Sequence, residues 1–279
     1  MSKIVVIGIV GNSVFLPVDN FHVGGETVEA KDVHFEFGGK GFNQAIAASR
    51  AGAEVSFFAA VGKEYSREIR EFLEAEGIAS RLVEKDSSTA FAAIITDKSG
   101  SNHVTVYQGA QLSGEDVDSF EDAIAEADIL LLTNEVDEAV NVRAIELARA
   151  HGTMCILNPA PQRALPDYII ENVDLFTPNE HETGGLEEKT NVIVTLGKRG
   201  CLIKSLGTII PAVSSGTVID TTGAGDTFNG ALTAMIGEGL ELEAATRIAN
   251  SVASLGVTRK YAASSIPTRD EIKEIIAKA

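Results

Sequence analysis

A turn of small residues that ends in a carboxylate lies towards the carboxyl end of the chain. It reads DTTGAGD over residues 220–226, and an apolar segment with helical periodicity follows it directly. Glycine and alanine let backbone N–H groups approach a ligand closely, and the following helix would point its unpaired N-terminal donors at the same place. The pattern therefore predicts an anion site suited to phosphoryl transfer. Asp226 is then either a base beside the bound anion or a favourable charge in the first turn of a helix.

A second glycine cluster, GGKG over residues 38–41, precedes an alanine-rich segment with helical character. A strand-to-helix turn that needs positive φ explains these glycines equally well. Lys40 is followed by glycine rather than serine or threonine, so the cluster is not a Walker A phosphate loop. Neither cluster has the spacing of a dinucleotide fingerprint. In the turn at 220–226, Phe228 holds the third glycine position after Gly223 and Gly225. A nicotinamide-dependent oxidoreductase therefore lacks its main support in the sequence.

The composition of the chain limits its partners. The 279 residues carry a formal net charge of -17, with a sequence pI of about 4.7, which disfavours nucleic acid and anionic membrane surfaces. Cys155 and Cys201 both lie within apolar runs, so a disulfide framework or a thiolate metal cluster has little support. The amino-terminal apolar run is too short for a membrane span. These features predict a cytoplasmic protein whose partners are small molecules or proteins.

Short β-branched runs alternate with segments of helical periodicity along the chain. Apolar residues recur at helical spacing in segments 66–77, 139–152 and 269–279. Continuous apolar strands separated by helices form parallel sheets that are covered on both faces. The sequence therefore predicts an α/β fold with a central, mostly parallel sheet and helices on both faces. The predicted strands of this sheet are 4–10, 55–61, 129–132, 154–157 and 192–196.

Two segments, approximately 14–37 and 89–108, break this alternation. Both show strand-like patterns without helices, as at Val104 and Val106. We expect them to form a small antiparallel β appendage that acts as a lid or as an oligomer contact. No linker or repeat divides the chain, so residues 1–279 are expected to form one domain that carries this lid.

Five motifs, taken together, resemble those of the ribokinase-like (PfkB) carbohydrate kinase family, with ribokinases as the closest branch. The resemblance extends over essentially the whole chain and implies a ribokinase-like fold. It also implies ATP-dependent transfer of the γ-phosphoryl group to a hydroxymethyl group of a ribose-like sugar or a nucleoside, and a homodimer that pairs through the β lid. The motifs are GGKGFNQA at 38–45, LNPAP at 157–161, TPNE at 177–180, TLGKRG at 195–200 and DTTGAGDTFNGAL at 220–232.

The resemblance assigns the transfer chemistry to the turn at residues 220–226. Asp226 would take the proton from the acceptor hydroxyl. Gly223, Ala224 and Gly225 would form an anion hole, since the charge of a transferring phosphoryl group is stabilised by positioned donors. A simple helix-start charge stays open as the alternative for Asp226.

The acceptor side matches the family only in part. Family members usually carry an aspartate a few residues after the first glycine, where it binds two sugar hydroxyls. Asn12 and Ser13 occupy this place here, and hydrogen bonds without an ionised partner are roughly half as strong. Glu135 has a second interpretation as a charge at the start of a helix. The matching positions for acceptor binding are Gly39, Lys40, Asn43, Glu135 and Asp226.

The resemblance implies a site for ATP with Mg²⁺. Glu182, the last residue of an NxxE pattern that begins at Asn179, would help to hold Mg²⁺ through water, because magnesium prefers hard oxygen ligands. A solvated acidic loop is the alternative for this segment. The positions expected to bind the nucleotide are Asn179, Thr195, Gly197, Gly200 and Asn250.

A monovalent cation site is a further expectation from the resemblance. Asp220, Thr222 and Ser265 stand at positions that resemble the K⁺ site of ribokinases. Tyr261 occupies a place where the closest relatives carry glycine. K⁺ activation is therefore an open expectation.

Two departures from the family leave another function open. One is the missing acceptor aspartate, and the other is the short connection between Glu182 and Thr195, where relatives carry extra helical sequence. We expect a flanking helix to be missing at this edge of the sheet. Both departures would suit a catalytically impaired regulatory protein that binds a sugar or a nucleotide on a kinase scaffold.

Overall fold

The strands of the protein form three sheets. The structure is a computed structural model that describes residues 1–98 and 101–278. In chain order the strands are β1 (Lys3–Ile7), β2 (Gly11–Pro17), β3 (His34–Gly38), β4 (Glu54–Gly62), β5 (Ala79–Lys85), β6 (Ala90–Thr96), β7 (Asn102–Tyr107), β8 (Ile129–Thr133), β9 (Met154–Asn158), β10 (Leu175–Phe176), β11 (Ile193–Thr195), β12 (Cys201–Ile203) and β13 (Thr208–Ile210). The central sheet has the order β10-β9-β8-β1-β4-β5, and all its pairings are parallel.

The helices cover both faces of the central sheet. They are α1 (Lys40–Arg50), α2 (Ser66–Ala75), α3 (Gly114–Asp118), α4 (Glu121–Glu126), α5 (Glu138–His151), α6 (Asp167–Asn172), α7 (Ala224–Gly237), α8 (Leu242–Gly256) and α9 (Arg269–Lys278). Side chains of α1, α2, α7, α8 and α9 build the core on one face, and those of α3 to α6 build it on the other. Within the described ranges, no helix has both the length and the apolar character that a membrane crossing needs.

The side chains of β1 point alternately into the two hydrophobic cores, one on each face of the sheet. Ile4 and Val6 belong to the core beneath α1 and α7, whereas Val5 and Ile7 belong to the opposite one. Successive side chains of a strand point to opposite faces, so a strand buried on both sides is a continuous apolar run. The predicted α/β fold with a parallel sheet covered on both faces is confirmed.

The first strand is shorter than the sequence predicts. Gly8 lies so close to α1 that a Cβ placed on it would stand 2.6 Å from the Cα of Gly41. The strand ends at Ile7, and the chain enters the third sheet at Gly11. Val10 is nevertheless fully buried. The apolar run therefore continues past the end of β1 into the connection to the next sheet, so the hydrophobic pattern does not show where β1 ends.

The third sheet is the predicted β appendage, which we call the lid sheet (β3-β2-β6-β7). The prediction of a wholly antiparallel appendage is wrong: the two edge pairings are antiparallel, but the central pairing of β2 with β6 is parallel. Large apolar side chains are exposed on it, including Phe35 at 67%, Val104 at 52% and Val106 at 56%. The lid sheet follows β1 directly in sequence, and β3 leads into α1 through Gly39.

The strand predicted at 192–196 forms β11, but it lies in a small antiparallel sheet, β11-β12-β13, and not in the central parallel sheet as predicted. Isolated parallel bridges join Phe176 to Val192 and Asn179 to Thr195. Residues 177–192 are all described, and none of them is helical. This edge of the sheet thus lacks the flanking helix, as the sequence predicts, and the side chain of Leu186 is buried against the core there.

Candidate active site

The carboxylate of Asp226 lies buried where α1 packs against α7. One of its oxygens accepts a hydrogen bond from Asn43 Nδ2 and the other from Gln44 Nε2, both at 3.1 Å. Both donors belong to α1, so the carboxylate is directed across the helix contact and away from the backbone of its own helix. Burial raises the pKa of Asp226, while Lys40 and the two amide donors oppose this rise. A desolvated carboxylate with neutral donors is a suitable proton acceptor.

Lys40 and Glu135 complete a charged cluster with Asp226. Attraction to Asp226, and more weakly to Glu135 and Glu182, raises the pKa of Lys40 against the effect of its burial. The Glu135 carboxylate accepts hydrogen bonds from the backbone N–H groups of Lys40, at 2.7 Å, and Gly41, at 3.3 Å. Burial raises the pKa of Glu135 to about 7. The Glu135 carboxylate therefore lies at the start of a helix, but at the start of α1 rather than of the helix that follows it in sequence.

The raised pKa of Glu135 predicts a pH dependence of stability. The folded state holds the Glu135 proton up to a pKa of about 7, whereas the ordinary value is 4.5. Between these two pH values the folded state binds more protons than the unfolded chain, so this group makes stability fall as pH rises. We expect Glu135→Gln to remove this component, a slope of at most about 1.4 kcal/mol per pH unit. Urea unfolding at several pH values between these limits measures the slope.

The matched control for this prediction is Glu188→Gln. Glu188 is an exposed acid in the connection from β10 to β11, and its substitution should leave the slope of the wild type unchanged. Equal slopes in the wild type and Glu135→Gln would contradict the prediction.

A buried chain of amide hydrogen bonds runs from Asp226 to the TPNE motif. Gln44 Nε2 also donates to Asn158 Oδ1 at 3.1 Å, and Asn158 Nδ2 donates to the carbonyl oxygen of Thr177 at 2.8 Å. The motifs did not indicate these contacts of Gln44 and Asn158, although both residues lie inside them. Asn43 Oδ1, Gln44 Oε1 and Thr177 Oγ1 have no hydrogen-bond partner among the described residues. A ligand or water can satisfy such groups.

The turn before Asp226 has the geometry of an anion site. Gly223 is the N-cap of α7 and has a φ of 75°, in the left-handed region that favours glycine. The helix begins at Ala224, whose N–H donates to the carbonyl oxygen of Thr221 at 3.2 Å, and the N–H groups of Gly225 and Asp226 have no acceptor within the helix. Space is open at Gly225, where an added Cβ would meet no heavy atom within 4 Å. Backbone donors and the helix dipole can therefore hold an anion next to the carboxylate.

Three of the residues expected on the nucleotide side lie together at the end of the central sheet. Asn179 and Thr195 form a parallel bridge. Glu182 Oε2 accepts a hydrogen bond from the backbone N–H of Asn179 at 3.0 Å. The backbone N–H of Thr195 donates to the carbonyl oxygen of Pro178 at 2.9 Å. The partly buried carboxylate of Glu182 is a hard oxygen ligand and fits Mg²⁺, which typically takes one or two carboxylates together with phosphate oxygens and water.

The remaining nucleotide-side residues lie at two further places. Gly197 is the first residue of a short 3₁₀ turn that Gly200 follows, and their φ values are 55° and 93°. A Cβ on Gly200 would collide with the carbonyl oxygen of Ile210, so only glycine fits there. Asn250 lies on α8, where its Nδ2 donates to the carbonyl oxygen of Pro211 at 2.7 Å.

The residues expected at the K⁺ site share one corner beside the anion turn. One oxygen of Asp220 accepts hydrogen bonds from the N–H and hydroxyl of Thr222, at 2.9 and 2.7 Å. The other accepts from the backbone N–H of Tyr261 at 2.9 Å. Ser265 Oγ donates to Ala262 O at 2.8 Å. The corner supplies oxygen ligands of the kind a cation needs, but both carboxylate oxygens already accept hydrogen bonds.

The acceptor-side residues lie where the lid sheet meets α1. Asn12 and Ser13 stand in the first half of β2 and pair with Phe37 and Glu36 of β3. Ser13 Oγ lies over Gly38, 2.8 Å from where a Cβ of that glycine would be. Gly39 has a φ of 125°, and a Cβ added to it would collide with the carbonyl oxygen of Ile9, in the connection from β1 to β2. The neutral side chain of Ser13 thus lies beside Gly38, in the part of β2 where family members usually carry an aspartate.

Comparison with known proteins gives the family of the chain. Residues 1–269 match the family described as pfkB family carbohydrate kinase. The chain belongs to this family. It is therefore a carbohydrate kinase, a phosphotransferase of a family that uses ATP.

Curated PfkB relatives include ribokinases and a deoxyribokinase. Identity is 33% with the ribokinase of Bacillus subtilis, over 99% of this chain and 100% of the relative. With the deoxyribokinase of Salmonella typhi it is 32%, over 91% of this chain and 92% of the relative. The chain is 34% identical, over 99% of its length, to the bifunctional ribokinase/ribose-5-phosphate isomerase A of Fructilactobacillus sanfranciscensis, of which it spans 56%.

Solved PfkB structures share the fold over the whole chain. A ribokinase from Thermotoga maritima superposes with a TM-score of 0.88 at 31% identity and covers 99% of this chain and 100% of its own. A ribokinase from Arabidopsis thaliana, solved in complex with ribose and ATP, superposes with a TM-score of 0.85 at 25% identity and covers 99% and 98%. The predicted ribokinase-like fold is confirmed.

Proposed function

We propose that this carbohydrate kinase transfers the γ-phosphoryl group of ATP to a hydroxymethyl group of a ribose-like sugar or a nucleoside. The observation that carries the proposal is the carboxylate of Asp226, buried beside the N-terminus of α7 and held by Asn43 and Gln44. The ribose and ATP complex of the Arabidopsis relative and the deoxyribokinase from Salmonella support a pentose as acceptor.

Asp226 is the general base of the proposed reaction. Its carboxylate takes the proton of the acceptor hydroxyl, and the freed oxygen forms a bond to the γ-phosphorus. The bond from that phosphorus to the bridging oxygen breaks, and ADP leaves with the electron pair. The transition state spreads charge over the phosphoryl oxygens, so the backbone donors of Gly223, Ala224 and Gly225 stabilise it. Such donors are typically worth about 10²- to 10³-fold in rate each.

The nucleotide and its ions occupy the corner between the central sheet, α7 and α8 in this proposal. Asn179, Thr195, Gly197, Gly200 and Asn250 would border ATP, and Glu182 would help to hold Mg²⁺ through water. When bound, Mg²⁺ neutralises charge on the phosphates. Asp220, Thr222 and Ser265 are the proposed K⁺ ligands, and the Asp220 carboxylate, which now accepts three hydrogen bonds, keeps one lone-pair position for a cation.

The acceptor lies between the lid sheet and α1 in this proposal. Lys40, Asn43, Glu135 and Gly39 contact its hydroxyl groups together with Asp226, and Asn12 and Ser13 approach it from β2. Asn43 Oδ1 is buried and supports this role, because it has no partner among the described residues.

An ADP-release screen over D-ribose, 2-deoxy-D-ribose, hexoses and nucleosides, each with and without K⁺, tests the proposed function. We expect a pentose or a nucleoside to give the highest kcat/KM. Because no acid stands at Asn12 and Ser13, we expect the preference for ribose over 2-deoxyribose to be weak. No ADP release with any acceptor would contradict the proposal.

A regulatory sugar- or nucleotide-binding protein is the second candidate, favoured by the neutral residues at Asn12 and Ser13. Isothermal titration separates the two functions. Sugar binding without ADP release would support the regulatory protein, and turnover would exclude it.

We further propose that residues 1–279 act as one kinase domain in the cytoplasm, and that two copies pair through the lid sheet. The exposed apolar side chains Val104 and Val106, which are neighbours on one face of β7, support this pairing, since contiguous exposed apolar surface marks contact sites. A monomer in light scattering at working concentration would contradict it.

A further inference from the structure

A single carboxylate of the lid sheet holds the turn between α8 and α9. Glu36 lies in β3, and its side chain is only 7% exposed. One of its oxygens accepts hydrogen bonds from the N–H groups of Ala262, at 2.9 Å, and Ala263, at 3.2 Å. The other accepts from Ser264, through its N–H at 3.1 Å and its hydroxyl at 2.6 Å. Four donors that converge on one carboxylate form a strong, directional contact.

The other side of the same turn contacts the anion site. A Cβ on Gly223 would stand 3.2 Å from the Cα of Ala262, so these two backbones are in close contact. The N–H of Tyr261 donates to Asp220, whose other oxygen holds Thr222. The turn at residues 261–264 therefore lies between the lid sheet and the backbone that precedes α7.

Tyr261 adds a second contact between this turn and the lid sheet. It is the one described residue other than glycine with a positive φ, at 74°. Residues with a Cβ rarely adopt this backbone conformation. Its ring stacks on His34 of β3 with centroids 3.8 Å apart, and it meets Phe15 of β2 edge-on at 5.1 Å. These ring contacts and the Asp220 hydrogen bond hold the backbone in this conformation.

We infer that Glu36 is a positioning residue that couples the lid sheet to the anion site. The coupling rests on the proposed function, in which the lid sheet covers the acceptor and Gly223 to Gly225 bind the transferred group. The lid position that satisfies Glu36 is also the position in which Ala262 packs against Gly223. A nucleotide that fixes the anion turn therefore favours this lid position, and by linkage the lid position favours the nucleotide to the same extent.

Hydrogen–deuterium exchange with the magnesium complex of a non-hydrolysable ATP analogue tests the coupling without an acceptor. In the wild type we expect the analogue to slow exchange both in segment 220–226 and in β2 and β3 of the lid sheet. In Glu36→Gln we expect the response of segment 220–226 to persist, while the response of β2 and β3 falls by about fivefold or more. The variant keeps the size of the side chain but replaces one acceptor oxygen by a donor.

Glu29→Gln is the matched control. Glu29 is an exposed glutamate in the connection from β2 to β3, and its substitution should leave both responses as in the wild type. Exchange in β1 and β8 without the analogue shows whether the variants are folded. If Glu36→Gln does not fold, Ser264→Ala, which removes only the hydroxyl donor, should weaken the lid response in the same direction.

The outcomes separate the coupling from the proposed function. A lid response in folded Glu36→Gln equal to that of the wild type, with segment 220–226 still protected, would overturn the coupling alone. An analogue that protects neither segment 195–200 nor segment 220–226 in the wild type would overturn the proposed function and the coupling with it. Loss of the lid response alone supports the coupling.

Discussion

Asp226→Asn is expected to lower kcat by about 10²- to 10⁴-fold, the range that general-base catalysis contributes. The amide fills the same buried volume as the carboxylate but cannot accept the proton of the acceptor hydroxyl. Asn43 and Gln44 each donate to one carboxylate oxygen, so the amide nitrogen would face one of these donors and lose that hydrogen bond. Removal of a desolvated charge offsets part of this cost. ADP release at saturating acceptor measures kcat, and circular dichroism with thermal unfolding measures the fold.

The matched control separates a catalytic carboxylate from a helix-start charge. Asp167 is an acid in the first turn of α6, as Asp226 is in α7, but it is exposed. Asp167→Asn should cost only about 0.3 to 1 kcal/mol of stability through the helix dipole, with no change in kcat. If folded Asp226→Asn keeps the rate of the wild type, Asp226 is a helix-start charge and the proposed base is wrong.

The central sheet could be predicted because burial on both faces leaves a clear pattern. The run at 129–132 predicts a strand, and β8 spans Ile129–Thr133 with every residue buried. The first strand was predicted to reach Val10, but β1 ends at Ile7. The apolar run continues past Ile7 into the connection to the lid sheet, so it does not mark the end of the strand. The strand ends where Gly8 contacts Gly41 of α1, and a local sequence pattern does not show this contact.

The site could be predicted as far as its motifs extend. Asp226, Lys40 and Glu135 were named from the family resemblance, and the structure places them in one charged cluster. Their roles remain proposals.

Long-range hydrogen bonds could not be predicted. Glu36 reads in the sequence as an ordinary polar residue of an exposed strand, yet its partners are 226 to 228 residues away. Gln44 and Asp226 are separated by 182 residues. Such contacts depend on how the lid sheet and the helices pack, and the pattern of residues in a single sequence does not predict that packing.

The packing of α1 against α7 leads to the second large prediction, for Gly230→Ala. A Cβ on Gly230 would stand 2.6 Å from the Cβ of Ala47 and 2.8 Å from the backbone nitrogen of Ala48, and closer still to the carbonyl oxygen of Gln44. Backbone atoms cannot rotate away, so α1 and α7 must move apart. We expect a loss of about 2 kcal/mol in the free energy of unfolding, because overpacking typically costs about 1 to 3 kcal/mol. Urea unfolding measures it.

Gly230→Ala should also lower kcat, since Gly230 lies one helical turn beyond Asp226. Separation of the helices lengthens the hydrogen bonds from Asn43 and Gln44 to the Asp226 carboxylate, now 3.1 Å each, and a displacement of about 1 Å at a reacting group can cost about 10²-fold in rate. Gly256→Ala is the control for stability. Its Cβ would meet neighbours at 3.5 Å or more, so the gain in helix propensity, up to about 1 kcal/mol, should outweigh any contact cost. If Gly230→Ala is as stable as Gly256→Ala and keeps its kcat, close helix packing does not position the carboxylate.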